Sequence, residues 1–326
     1  FCSGEVSADG HPWSTGAYVT DITQRTWPAQ YGGRGTRPLT ELATVPPAGY
    51  IWDLCARKGL SYRSYGEYVY ATGPQVPPGP LSSTDGVTGL KGHSSAAWEA
   101  ARAARKRDFE KADVFISELR EFERTSSLPR FMIMSLGENH TTGTRPGTFT
   151  PKACVASNDV ALGKIVEACT RSKYWNEMAI FVIEDDAQNG PDHVDAHRTA
   201  ALVISPYARR RHLDSTFYTT VSMLRTIELI LGLPPMSQYD TAATPMYNSF
   251  MPKPQVSSYD ALPARVDLMA VNPPTAYGAQ ESARLDFSDY DRLTVADEDT
   301  LNRAIWHSIK GADVPYPAPV RRALFR

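Results

Sequence analysis

Between two apolar runs, "FVI" and "ALVIS", the sequence places Glu184, Asp185, Asp186, Asp192, His193, Asp195 and His197. A second group, Glu138, Asn139 and His140, follows the apolar run "MIMSL". Carboxylates and imidazoles together are donors for divalent ions such as Zn, Mn, Fe or Ca. Adjacent acids repel, and a cation is the least costly way to keep Asp185 and Asp186 both ionised beside a buried strand. A run of three acids is commonly just a solvated face. Here "QNGPDHVDAH" follows it, a loop too rich in His and Asp for solubility alone. His193 and His197 stand four apart, but Gly190 and Pro191 argue against a helix, so that spacing carries little. His140 taken alone also fits a hydrogen-bonded core histidine. His93, His212 and His307 lie outside both groups and read as structural or surface residues.

These groups need strands to hold them. Residues 128–137, "EMAIFVIED" and "TAALVISPY" read as strands. Residues 150–172 read as a helix with Thr150 at the N-cap and Pro151 at the first position, and 215–233 as an amphipathic helix ended by Gly232 and Pro234. Residues 49–70 read as a helix, a turn at Gly59 and an aromatic strand. Residues 96–124 have helical composition, with an apolar stripe at Phe109, Val114, Phe115, Leu119 and Phe122. Residues 1–20 read as a site loop leading into a helix, and 72–93 as a long irregular loop. Strand–helix alternation with near-continuous apolar strands predicts an α/β fold, a three-layer sandwich with a mostly parallel central sheet. In such sheets ligands sit beyond the carboxyl ends of the strands, where both polar groups fall. The expected division is a domain over 1–250 and an extended Pro-rich C-terminal tail over 251–326, with a short helix near 297–310.

The composition narrows the class. The chain has 326 residues, 42% hydrophobic and 21% charged, with a formal charge of −2. That balance gives no electrostatic footprint for nucleic acid. No apolar run reaches the ~20 residues of a transmembrane helix. Phe1 is not an initiator methionine and "FCSGEVSADG" lacks signal-peptide features, so the chain reads as a processed form or fragment. Cys2, Cys55, Cys154 and Cys169 are too few for a disulfide framework, leaving open whether one disulfide forms.

"EDDAQNGPDHVDAHR…ALVISPYAR" resembles the bacterial phosphoesterase family that includes phospholipases C and acid phosphatases, within the alkaline phosphatase superfamily. "GEVSADGHPWS", "SYRSYGE", "NHTTGTRPG" and "LPPMSQYDTAATPM" are similar to the branch often fused to β-propeller repeats. The resemblance implies an alkaline phosphatase-like fold and hydrolysis of phosphate mono- or diesters through a phosphoserine, with a small-molecule or lipid phosphate ester as substrate. It implies Ser7 as nucleophile, with Ser3 and Ser14 as neighbouring rivals and an ordinary Asp–Gly turn as the plainer reading of "SADG". By the same resemblance Asp185, Asp186 and His197 hold a divalent metal, while Asp9 and His11 position phosphate. His140 or His193 serves as general acid, with Asn139, Arg145 and Arg198 as further substrate contacts. It also implies a periplasmic or secreted protein.

Two departures stand out. Many two-metal relatives carry Asp where Leu136 stands, which puts a second metal in question. The family's first strand, with a further metal ligand, would precede Phe1, so a separate N-terminal segment is expected to complete the site. The alternative to an enzyme is a catalytically silent binding or structural module of a larger secreted assembly.

Overall fold

The computed structural model describes residues 1–4, 7–30, 44–68, 70–71, 81–82, 87–185, 197–286 and 295–317. In chain order the helices are α1 (Ser7–Gly16), α2 (Asp21–Gln30), α3 (Ile51–Arg57), α4 (Ala96–Ala103), α5 (Asp108–Thr125), α6 (Pro151–Arg171), α7 (Thr220–Leu231), α8 (Gln238–Ala242), α9 (Ala279–Arg284) and α10 (Val295–Lys310). The strands are β1 (Tyr62–Tyr65), β2 (Tyr70–Ala71), β3 (Leu81–Ser82), β4 (Phe131–Met134), β5 (Ile180–Ile183) and β6 (Ala201–Ile204).

β1 and β4 pair in parallel, Tyr62 opposite Phe131 and Tyr65 opposite Met134. Successive strand residues point to opposite faces, and both faces are covered. Phe131 and Ile133 pack into a core with Trp52 and Leu54 of α3 and Leu224 of α7. Met132 and Met134 pack into a second core with Phe115 and Leu119 of α5 and Ile165 of α6. Burying one such side chain contributes about 1.5–3 kcal/mol. Here the sheet is apolar on both sides because helices lie on both sides.

The expected single, mostly parallel sheet is not what the described strands form. β5 and β6 pair antiparallel, Ile180 opposite Ile204 and Ile183 opposite Ala201, and β2 pairs antiparallel with β3. The fold shown is a mixed α/β arrangement with a small parallel sheet. Apolar composition marks buried strands but does not encode their direction.

Local signals fared better. The Thr150 hydroxyl accepts from the Ala153 amide at 3.2 Å and caps α6 as predicted. Gly232 ends α7 with φ of 66°. The single helix expected over 96–124 divides instead into α4 and α5. The Lys106 amide bonds the Ala101 carbonyl and the Arg105 amide bonds the Arg102 carbonyl. Arg105 between them is left-handed, φ 53°. This is a Schellman stop without the glycine that usually announces one. The four cysteines are buried thiols with no disulfide among them, and burial pushes Cys169 up to about 12.

Two buried polar knots brace the fold. At the start of α5, Arg107 is ion-paired to Glu138, and the Asp108 amide donates to Glu138 Oε2 at 2.8 Å. The Glu138 amide donates back to Asp108 Oδ2 at 2.9 Å, and the Ser157 hydroxyl of α6 donates to Glu138 Oε2. Between α7 and α8, Glu228 is wholly buried, paired with Arg225 at 3.0 Å. Its neighbour Asp240 accepts from the Met236 and Ser237 amides. Burial, with Asp240 beside it, pushes the Glu228 carboxyl up to about 8.

The C-terminal segment is stitched to the body beside α6. Asn272 donates to the carbonyls of Gly143 and Phe149 at 3.1 and 3.2 Å, and Val271 bridges Phe149.

Candidate functional site

The site is centred on His11, in the second turn of α1. Its Nδ1 lies 2.7 Å from Glu67 Oε1, and its Nε2 lies 3.0 Å from Asp185 Oδ2. An imidazole that donates to two carboxylates carries both protons, so this geometry is that of an imidazolium between two anions.

Each partner arrives by a separate local device. α1 docks against Asp185, two residues beyond β5, because Gly10 has no side chain: a Cβ there would stand 2.4 Å from the Asp185 carbonyl oxygen. Any larger residue would push His11 away from Asp185. Glu67 comes off the end of β1 through Gly66, whose φ of 93° favours glycine and whose Cβ would meet Trp98 Nε1 at 2.8 Å. Glu67 is buried, and a buried carboxylate is tolerated only with a partner, which His11 supplies. Tyr68 closes the floor. Its hydroxyl lies 3.1 Å from Thr15 Oγ1, and Thr15 in turn donates to the His11 carbonyl at 2.5 Å.

His140 follows β4 and lies in the electrostatic range of both His11 and Asp185. Desolvation lowers its pKa, Asp185 opposes that and His11 adds to it. His140 is nonetheless an exposed residue, and water beside it limits how far desolvation can act. A histidine held towards its neutral form beside a charged one is suited to exchanging protons.

The remaining predicted residues are placed as follows. Ser7 is the first residue of α1, one turn before His11, so "SADG" begins a helix rather than a free loop. Asp9 is buried in the first turn of that helix. His197 is half-buried, and its carbonyl accepts from the Cys2 amide at 2.6 Å. The Cys2 thiol donates to the Glu184 carbonyl, so the first residues run between the two ends of the β5–β6 connection. Asn139 and Arg198 are exposed. Arg145 donates to the Ala283 carbonyl at 3.3 Å, a contact with the C-terminal segment. Asp186 and His193 lie outside the described residues.

Tested for a metal, the described residues fall short. No group of three or more His, Cys, Asp or Glu among them converges on a point.

Glu67 was not singled out in the sequence. It lies in "SYRSYGE", and the signal for it was available: it follows the carboxyl end of a parallel strand, where α/β sheets place ligand contacts. Glu138 was grouped with His140 for the same reason, yet it belongs to the Arg107 knot.

No curated protein matches this sequence. A family model does match, over residues 50–234; it contains Glu67, His140 and Asp185 and begins after α1, which carries Ser7 and His11. With more than half of its 326 residues covered by that match, and acid and histidine side chains meeting at its strand ends, the chain belongs to the Phosphoesterase family.

Proposed function

We propose that this chain hydrolyses phosphate esters, with Ser7 as the attacking hydroxyl and His11 as the group that moves the leaving-group proton. The observation that carries the reading is His11 held between Glu67 and Asp185 in a chain of the Phosphoesterase family. Glu67 fixes the ring through Nδ1, as the carboxylate of a catalytic triad does. That leaves Nε2 as the reactive nitrogen.

In the first step Ser7 Oγ bonds phosphorus and the ester P–O bond breaks. The departing oxygen takes the Nε2 proton of His11. Asp185, released from that nitrogen, takes the hydroxyl proton of Ser7. In the second step water bonds phosphorus and Ser7 Oγ leaves. The neutral Nε2 receives the water proton, and Asp185 returns its proton to Ser7. Each group ends as it began. Splitting the reaction through a covalent intermediate exchanges one high barrier for two lower ones.

Divalent metals are general in this family, and Asp185, with Asp186 and His197, forms the ligand set the sequence nominates. Such an ion would supply charge neutralisation at the phosphoryl oxygens.

The test is hydrolysis of chromogenic phosphate mono- and diesters, with chelator and with added Zn, Mn or Ca. Turnover together with a phosphorylated peptide containing Ser7, seen by mass spectrometry after acid quench, is the expected result. Turnover that survives in Ser7→Ala removes Ser7 from the nucleophile role. Absence of turnover under every metal overturns the hydrolase reading.

A further inference from the structure

His11 is one of the residues lining a cleft of about 590 Å³, within the usual size for a small-molecule site. The rest of that cleft is strongly cationic. Arg102, Arg105, Lys106, Arg107 and Lys111 line it, against two carboxylates, Asp108 and Glu138. Glu138 pairs with Arg107 and Asp108 with Lys111 at 2.5 Å, so these four charges cancel and the surplus is Arg102, Arg105 and Lys106. Lys106 has one exposed partner, Glu110, at 2.8 Å. Arg105 makes no side-chain hydrogen bond or ion pair among the described residues.

Arg105 also has a left-handed backbone, as do Ala17, Tyr68, Ser126 and Arg211 among the described residues, and of these Arg105 and Tyr68 line the cleft. Arg105 occupies the left-handed position of the Schellman stop between α4 and α5, where glycine is ordinarily found and a side chain is disfavoured. A guanidinium kept at a glycine position, lining a cleft shared with His11, points to a ligand for it. The site itself creates the need. Two carboxylates flank one imidazolium at His11, so an approaching phosphate meets net negative charge there. Neighbouring cations are required to draw an anion in.

We propose that this cleft binds the remainder of the substrate, and that the substrate class is phosphoesters carrying at least one further phosphate or similarly charged group beyond the scissile one. This rests on the phosphoesterase reading above. Arg105 is the fork for the second anion, since guanidinium pairs phosphate in bidentate fashion, and Arg102, which also lies beside Glu99, adds positive charge next to it. A soluble polyphosphorylated ester and a phosphorylated lipid headgroup share this chemistry.

The experiment has a binding arm and a kinetic arm. By calorimetry, inorganic tripolyphosphate should bind the intact chain at least tenfold more tightly than orthophosphate. Arg105→Gly, which also relieves the left-handed backbone, should weaken tripolyphosphate at least fivefold with the melting temperature unchanged or raised. A purely structural Arg105 predicts no loss of binding and overturns the proposal. Kinetically, the ratio of kcat/KM for an ester with a second phosphate to that for a neutral aryl phosphate should exceed ten and fall several-fold in Arg105→Gly, through KM. Equal ratios in both proteins would sink the substrate assignment while leaving hydrolysis intact. Tripolyphosphate binding without turnover of any ester would overturn the hydrolase reading and leave the cleft's anion binding standing. Comparing the soluble ester with anionic phospholipid vesicles of the same headgroup separates the two sources.

Discussion

Two polar clusters follow the carboxyl ends of β1 and β4, and they differ in how completely their atoms are used. In the Arg107–Asp108–Glu138 knot, both Glu138 oxygens are occupied, by Arg107 on one side and by the Asp108 amide and Ser157 on the other. Asn158 adds a hydrogen bond from α6 to Asp108 Oδ2 at 3.1 Å. The His11 cluster has buried support on one side only. Glu67 is buried behind the ring, while Asp185 and His140 retain contact with solvent. A saturated buried network fixes backbone, and a half-open one can exchange a partner for a substrate.

If that contrast holds, substitutions should separate chemistry from stability. The largest effect is expected at His11. His11→Gln should lower kcat/KM for a phosphate ester by roughly 10²–10⁴-fold, the usual contribution of a positioned acid, with a modest loss of melting temperature, because the amide still donates to buried Glu67 but no longer neutralises it. A large melting shift with retained turnover would place His11 in the scaffold instead.

Next is the knot. Glu138→Ala leaves Arg107 charged and unpaired in a buried position, and the loss expected from breaking such a pair is about 3–5 kcal/mol. Denaturant unfolding measures it. A variant as stable as the parent would show that the knot does not brace the fold.

A smaller change is expected at Glu67, which in the proposed reaction orients rather than reacts. Glu67→Gln keeps a hydrogen-bond acceptor for Nδ1 but loses the charge, and roughly a tenfold to hundredfold loss of kcat is expected. The pH profile should move with it, because the imidazolium loses one of its two anions. A fall in kcat with an unmoved pH profile would argue for packing alone.

The mildest prediction concerns Glu228, remote from both clusters. Its folded pKa, about 8, stands above the ordinary 4.5. The folded chain therefore retains a proton that the unfolded chain releases, so stability is full below about pH 4.5 and falls as pH rises towards about 8. The slope from this group is at most about 1.4 kcal/mol per pH unit. Glu228→Gln should flatten stability against pH across that window, as read from urea midpoints. An unchanged slope would mean the carboxyl is not protonated in the folded state.

Much of the local structure was legible in the chain. Thr150–Pro151 announced the start of α6, and Gly232 the end of α7. Short-range rules suffice there, because a cap or a left-handed glycine acts within one turn. The break between α4 and α5 was hidden, because arginine holds the position where the glycine signal belongs. The antiparallel pairing of β5 with β6 was hidden too, since direction depends on how the connection returns, not on which residues are apolar.

The candidate site divides in the same way. From residue types and order alone came the acids after β5 and the histidine after β4, while Ser7 and His11 came from the resemblance of "GEVSADGHPWS" to the phosphoesterase family. Three-dimensional packing decided which of them meet. Gly10 seats α1 on Asp185 and Gly66 turns Glu67 inward, and both are contacts between segments tens of residues apart. The same packing turned Glu138 away from His140 into the knot. A carboxylate's role depends on which cation reaches it first, and only the folded chain sets that distance.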